Sequence, residues 1–513
     1  MKSPPETRSL KGRWKVSSTP APAAVWIVPL LVVAPLAASA EDVTVQGAAT
    51  VEYIQNTDFD PSASAFDGRV ELDIGIGAVT LGCVYRSHLL SEPTYNPAGR
   101  PLPDAELSQR YAEFTRDALT LRAGDCFATF GRGLALRSFE DVDLEYDTTL
   151  DGFLARYSFG AAALEAISGA ATERVSRTGA IDHRIRGIHA SVPVSGWLDV
   201  GGSVVERSAT ERDEVIVIPA ESARFEESIL TAEVGLRLGA LEISGERAAR
   251  DGRNPVTDDG AIDGRATYVA GSLSLPWLTL FGEYKDYWDF RHYLVSPPTC
   301  ARDHAWTLPN RVTHEVALDD ERGFLIEGSA PLGDGLYLTG GASEARNHAH
   351  DLRHWELYGE LDHALSERVT GTLGASWSRE YLFIGAEGVG KFDEHASAVV
   401  DLAIETAPGQ LVELTGEGQR IEDPSGECFE RYLVAFACYP TSFVTIVSAA
   451  EWTTDRFADR GAWLVTEVRF LPTPDSEIAV AVGSEPEGKK CSGGVCHFEP
   501  EFEGARLRLS TYF

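Results

Sequence analysis

The chain has 513 residues, with 45 Lys and Arg against 78 Asp and Glu, a formal charge of -33, and 43% hydrophobic residues. That apolar content is ordinary for a packed protein and excludes a disordered chain, while glycines without a triplet period exclude collagen. A surface this acidic, with no basic patch set apart, excludes nucleic acid as a partner.

The first segment reads as a targeting signal. Lys2, Arg8, Lys11, Arg13 and Lys15 stand against only Glu6, an apolar run follows from Ala24 to Ala37, and Ala38-Ser39-Ala40 offers a small-residue cleavage site. This order of charge, apolar run and small residues predicts a cleaved secretory signal over residues 1–40. An uncleaved membrane anchor is the alternative, but the apolar run is short for a span. Downstream of it no stretch reaches 18 apolar residues, so no membrane helix is expected.

From Val43 to Phe513 the chain alternates apolar and polar residues in segments of about ten, the period-two pattern of strands with two unlike faces. In Arg69-Val70-Glu71-Leu72-Asp73-Ile74 one face is charged and the other aliphatic. Between His354 and Asp362, Trp355, Leu357 and Leu361 oppose Glu356, Tyr358 and Glu360. A soluble sandwich would alternate in the same way, so the connections decide. Tight turns fall near 75–78, 117–119, 158–161, 193–196, 238–240, 275–277, 331–335, 364–367, 407–410, 439–442 and 471–475. Between them lie uneven polar loops, including 91–106, 129–149, 208–225, 290–319 and 486–502. Short turns alternating with long loops predict a single transmembrane antiparallel β-barrel over residues 41–513, with about 24 strands and an even count. Such a barrel implies the outer membrane of a Gram-negative-type bacterium, with lipid bilayer and lipopolysaccharide as surroundings. The last segment, Gly504 to Phe513, alternates and stops on an aromatic, as terminal strands read by the barrel-insertion machinery do.

Two segments carry a family resemblance. Phe130-Gly131-Arg132-Gly133-Leu134 through Asp141, continuing to Leu150-Asp151-Gly152, and Pro297-Pro298-Thr299 through Arg311 to Phe324, resemble an uncharacterised family of bacterial outer-membrane barrels marked by such a Gly-Arg-Gly-Leu element. The resemblance is clearest between about 118 and 328. It implies a barrel in the outer membrane and brings no substrate, cofactor or catalytic residue.

Residues 129–149 place Arg132 and Arg137 near Glu140, Asp141, Asp143, Glu145 and Asp147, with Phe130, Leu134, Leu136 and Phe139 between them. Aliphatics interleaved with charge do not suit a solvated outer tip. The expectation is a loop folded into the lumen, either as a constriction with a transverse field or as a plug whose arginines pair with wall carboxylates. An ordinary outer loop is the alternative.

Residues 290–319 are expected as a long outer loop that packs over the mouth or receives a ligand. Its His292, Cys300, Asp303, His304, His314 and Glu315 fit no compact metal motif, so no metal or cofactor is expected. Alternation points Glu71, Asp73, Arg122, Arg156, Glu233, Glu283, Lys285, Glu356 and Glu360 inward, and acids predominate among such positions, which favours cations. Cys491 and Cys496 flank a Ser-Gly-Gly-Val turn suited to a disulfide, while Cys428 and Cys438 share one strand and lie too far apart to pair. A Cys300 to Cys428 bridge between outer loops is a further option.

Nucleophile-elbow, phosphate-loop and metalloprotease motifs are absent, and His189, His354, His363 and His395 have no evident nucleophile beside them, so no enzyme is expected. Strand alternation begins close to Glu41, leaving no room there for the large plug domain of an energised receptor. The expected function is a passive channel for small solutes with an acidic lumen; a non-conducting barrel serving as scaffold, adhesin or partner-binding protein is the alternative.

Overall fold

The computed structural model describes residues 43–57, 63–90, 105–142, 146–174, 179–213, 224–253, 261–290, 294, 300, 302, 304–311, 320–349, 352–384, 389–458, 460–492, 495–499 and 501–513. Residues 1–40, expected to be a signal, lie outside them, as do Asp143, Glu145, His292, Asp303, His314 and Glu315.

The alternating segments become 24 antiparallel strands of one sheet. They are β1 Val43–Asn56, β2 Ala63–Ile76, β3 Val79–Leu90, β4 Ala105–Arg116, β5 Leu119–Cys126, β6 Leu150–Phe159, β7 Ala162–Arg174 and β8 Gly179–Ser195. Next come β9 Leu198–Asp213, β10 Arg224–Leu238, β11 Leu241–Arg253, β12 Ala261–Leu275, β13 Leu278–Trp288, β14 Arg322–Gly333, β15 Leu336–Arg346 and β16 Arg353–Ser366. The chain continues through β17 Val369–Ile384, β18 Val389–Ala407, β19 Gln410–Glu422, β20 Cys428–Thr441, β21 Val444–Thr453, β22 Ala462–Thr473, β23 Ser476–Glu485 and β24 Phe502–Tyr512. Each strand pairs with its chain neighbour, and β1 closes the ring on β24, from Ala48 opposite Tyr512 to Asn56 opposite Gly504. The sheet therefore has no free edge, which is the condition for burying backbone in hydrocarbon.

Register follows the alternation. Val70 is exposed while Arg69 points inward, and Leu357 is exposed between the buried Glu356 and Tyr358. Outward aliphatics such as Val234, Ile326, Leu373, Val400, Leu464 and Val482 form an apolar belt around the wall. At the short-turn end Phe159, Trp197, Trp277, Tyr337, Phe443 and Tyr512 make an aromatic girdle, the surface of a transmembrane barrel. Here apolar side chains face outward because hydrocarbon, not water, is the solvent on that side. The chain end closes the seam: Phe513 and Gly47 exchange backbone hydrogen bonds of 2.8 and 3.0 Å.

Candidate functional site

The inner wall is only partly polar. Ile185, Val205, Ile229, Ala248, Ala266, Tyr268 and Tyr287, on β8 to β13, are almost wholly buried. They pack against Phe130, Leu134, Ala135, Leu136, Phe290 and Leu294, all with no exposed surface. The residues after β5 and after β13 thus enter the barrel and share one hydrophobic core with its wall.

The first inserted loop, 127–149, is shaped by two small ladders, Thr129–Phe130 with Leu136–Arg137 and Glu140–Asp141 with Tyr146–Asp147. Between the first pair the chain reverses through Gly131 and Gly133, at φ of 57° and 90°, with the Gly133 amide donating to the Phe130 carbonyl at 2.9 Å. A Cβ on Gly131 would stand 2.5 Å from a Glu233 carboxylate oxygen, so the turn sits directly on the wall. Glu233 and Glu246 are cross-strand partners there; the Arg132 amide donates to Glu246 at 2.6 Å and its guanidinium to Ser244 Oγ at 2.8 Å. Phe130 stacks on His189, with ring centroids 5.5 Å apart, and His189 pairs with Glu233 at 3.2 Å. Gly187 makes room for the ring, since a Cβ there would lie 2.7 Å from Phe130 Cε2.

The other arm of the loop reaches back across to β2, β3 and β4. Glu140 accepts two bonds from Arg69, at 2.8 and 2.9 Å, one from Gln109 at 2.7 Å, and pairs with Arg86. Arg137 lies over the Phe139 ring at 4.7 Å, and burial holds its guanidinium below the usual arginine value. Asp147 accepts from the Thr149 amide at 2.8 Å. The expected field of opposed charges is therefore not what the described residues form. Glu140 is neutralised by wall arginines and Arg132 binds the opposite wall, so the charges dock the loop, because a buried carboxylate needs paired cations.

The second inserted segment corrects the expectation of a loop over the mouth. Its described residues run around the inner wall, across the strands from β13 to β21. Arg302 bonds Glu327 at 2.7 Å and Glu360 at 3.0 Å and lies over the Tyr358 ring; His304 pairs with Glu356. The Thr307 and Leu308 amides donate to Glu417 at 3.1 and 2.7 Å, and Gln419 donates to the Leu308 carbonyl at 3.1 Å. A single 3-10 turn, Pro309–Arg311, then presents Arg311 to Glu451 through two bonds of 2.6 and 3.0 Å. The physical reason is complementarity: the acids of the wall need cations and amides, and this loop supplies them in order. The two insertions also meet, as the Arg137 amide donates to the Leu294 carbonyl at 2.7 Å.

The inward residues read from alternation all find wall or loop partners. Glu71 pairs with Arg69, Asp73 accepts from Tyr111 at 2.7 Å, Arg122 lies over Tyr111 and faces Glu113 at 3.6 Å, and Arg156 meets Glu165 at 3.1 Å. Glu283 accepts from Tyr268, and Lys285 pairs with the buried Glu321. Sequence reasoning missed Arg86, Arg302, Arg311 and the apolar inner face. The signal for the last was present, since Val204-Val205, Ile229-Leu230 and Ala248-Ala249 make both faces of β9 to β11 apolar.

Cys300 is buried beside Lys285, and burial pushes its thiol up to about 12. Cys300 and Cys428 are free thiols, which removes the bridge between them, and Cys428 and Cys438 lie unpaired on β20. Cys491 stands opposite Cys496 in the hairpin Gly488–Ser492 with Val495–Glu499, their side chains outside the described residues. Among the described residues no group of three metal-ligating side chains converges.

Residues 70–327, which take in both insertions and the apolar inner wall, match the model of a family of unknown function, DUF6029. The chain belongs to that family. The DUF6029 match begins well before the segment in which the resemblance is clearest by sequence. No curated protein matches the chain. Among solved structures it is similar to the translocation pore of the P pilus usher PapC, at 8% identity and a TM-score of 0.45, over 91% of this chain and 98% of that one. It is also similar to the siderophore receptor PirA from Pseudomonas aeruginosa, at 10% identity and a TM-score of 0.47, over 91% and 80% of the two chains. OccK11 (OpdR) from Pseudomonas aeruginosa gives 12% identity and a TM-score of 0.37, over 70% and 95%. Likeness at this level adds nothing to the barrel geometry already described.

Proposed function

We propose that this protein is an outer-membrane barrel that conducts small solutes passively, with its bore narrowed by the two inserted loops. The supporting observation is that inward charge keeps exposed surface around the wall: Glu71 and Arg156 keep 43 and 48% of their side-chain surface exposed, and Arg469, Arg506 and Arg508 keep 42, 29 and 36%. Exposed charge on an inward face implies water beside it. The wall acids are largely taken up by Arg69, Arg302, Arg311 and loop amides, so the acidic lumen expected from strand alternation reduces to a weak cation preference.

The proposal includes export through a cleaved signal, insertion through the terminal strand ending at Phe513, and lipopolysaccharide around the belt. No catalytic role is part of it. A non-conducting barrel that binds a partner through its outer loops is the competing reading. Planar-bilayer recording of the refolded mature chain separates them. Discrete conductance steps, larger in a variant lacking residues 132–145, are the expected result. If neither protein conducts while both migrate as folded barrels, the channel reading is wrong.

A further inference from the structure

The inner wall on β22 to β24 has a specific construction. Ala479 and Ala481 of β23, 2 and 4% exposed, lie opposite Arg508 and Arg506 of β24 on one side and Arg469 and Glu467 of β22 on the other. Two small residues between long ones leave a trough along the strand direction that the arginines fold over and fill, which keeps both alanines buried. Glu52 of β1 stands opposite Arg508 and completes the far bank. Along the trough every cation has a carboxylate partner: Arg469 with Glu467, Arg508 with Glu477 at 3.2 Å, and Arg506 with Glu485 at 3.2 Å.

We infer that this trough sets the selectivity of the channel, and that it favours small solutes carrying a positive and a negative group together, such as free amino acids. The inference rests on the channel reading above. Three arginines face four glutamates, so the sector holds little net charge and offers a simple cation or anion small gain. A single-sign ion that binds one partner of a pair leaves the other uncompensated. A zwitterion replaces both partners at once, and because these pairs are partly exposed and weakly coupled, the exchange is cheap. The alanines leave room for Arg469 and Arg508 to turn towards the solute, whereas Arg506 is held over the Phe502 ring at 4.8 Å.

The test uses the full mature chain in planar bilayers and in liposomes. Under a potassium chloride gradient the wild type is expected to reverse close to zero, slightly towards potassium. Arg506→Gln with Arg508→Gln moves reversal clearly towards potassium, and Glu477→Gln with Glu485→Gln moves it towards chloride. In liposome swelling, threonine enters wild-type vesicles at least about twice as fast as erythritol, a neutral solute of similar size, and the advantage disappears when all four residues are replaced. Heat-modifiable migration confirms that each variant is a closed barrel. Conductance with reversal and swelling ratios indifferent to both pairs overturns the trough and leaves the channel standing. No conductance and no swelling from the folded wild type overturns both.

Discussion

Replacing Phe130 with alanine tests the inserted core most directly. The side chain is completely buried, stacked on His189 and seated in the space that Gly187 leaves. Truncation of a buried phenylalanine costs about 3–5 kcal/mol, the lost transfer energy plus the cavity left behind. The ladder of 24 strands does not use this side chain, so the cost falls on docking of the loop rather than on closure of the barrel. Converted to an equilibrium, it raises the undocked population by roughly 100- to 4000-fold. The amides that record this are those of Gly133, bonded to Phe130, Arg137, bonded to Leu294, and Ser138, bonded to Ala128. Native-state hydrogen exchange should accelerate at all three by a common factor in that range, while amides of β1 and β24 keep their protection. Because Arg137 bonds the second insertion, Leu294 and its neighbours should loosen with the first. Unchanged exchange at these amides in a correctly closed variant would refute the reasoning that a single hydrophobic core fixes the loops.

Other outcomes follow from the same geometry. Glu140→Gln removes the charge shared by Arg69, Arg86 and Gln109, weakening that arm by about 1.5–3 kcal/mol; faster exchange confined to residues near 140 and 148 would confirm it. Gly131→Ala forces a Cβ onto Glu233 at a positive φ, whereas Gly77→Ala, also at positive φ, meets nothing within 4 Å. Each pays backbone strain of about 1–2 kcal/mol, and only Gly131→Ala should open the pore, read as a larger conductance step. The Cys300 thiol keeps its proton to about 12 while an unfolded thiol loses it near 9.0, so the unfolded segment binds fewer protons between those values. The segment's stability therefore falls as pH rises from 9 to 12, by about 1.4 kcal/mol per unit, and below 9 the group has no effect. Maleimide at pH 8 should label the exposed Cys428 and spare Cys300 until the loop is released. Removing Phe513 deletes the two backbone bonds to Gly47, and assembly in cells should fall while refolding in detergent micelles still yields a closed barrel.

The sequence by itself determined the barrel. Period-two alternation is a local property, and the eleven tight turns read from it fall at the hairpins that join neighbouring strands, as at Gly77, Gly160 and Gly239. It also determined which way Glu71, Glu233, Glu356 and Glu360 point, because register moves a whole strand face together. What it did not contain was the occupancy of the lumen. Whether Glu140 lines a constriction or is clasped by Arg69 and Arg86 depends on residues 71 and 54 positions away, brought together only when the sheet closes. Arg311 meets Glu451 across 140 residues for the same reason. The apolar inner face of β8 to β13 looked like ordinary strand hydrophobicity until two loops were seen packed on it. Pairing between chain neighbours is written in each hairpin, whereas contacts across the bore exist only once curvature and closure have set which inward side chains a loop can reach.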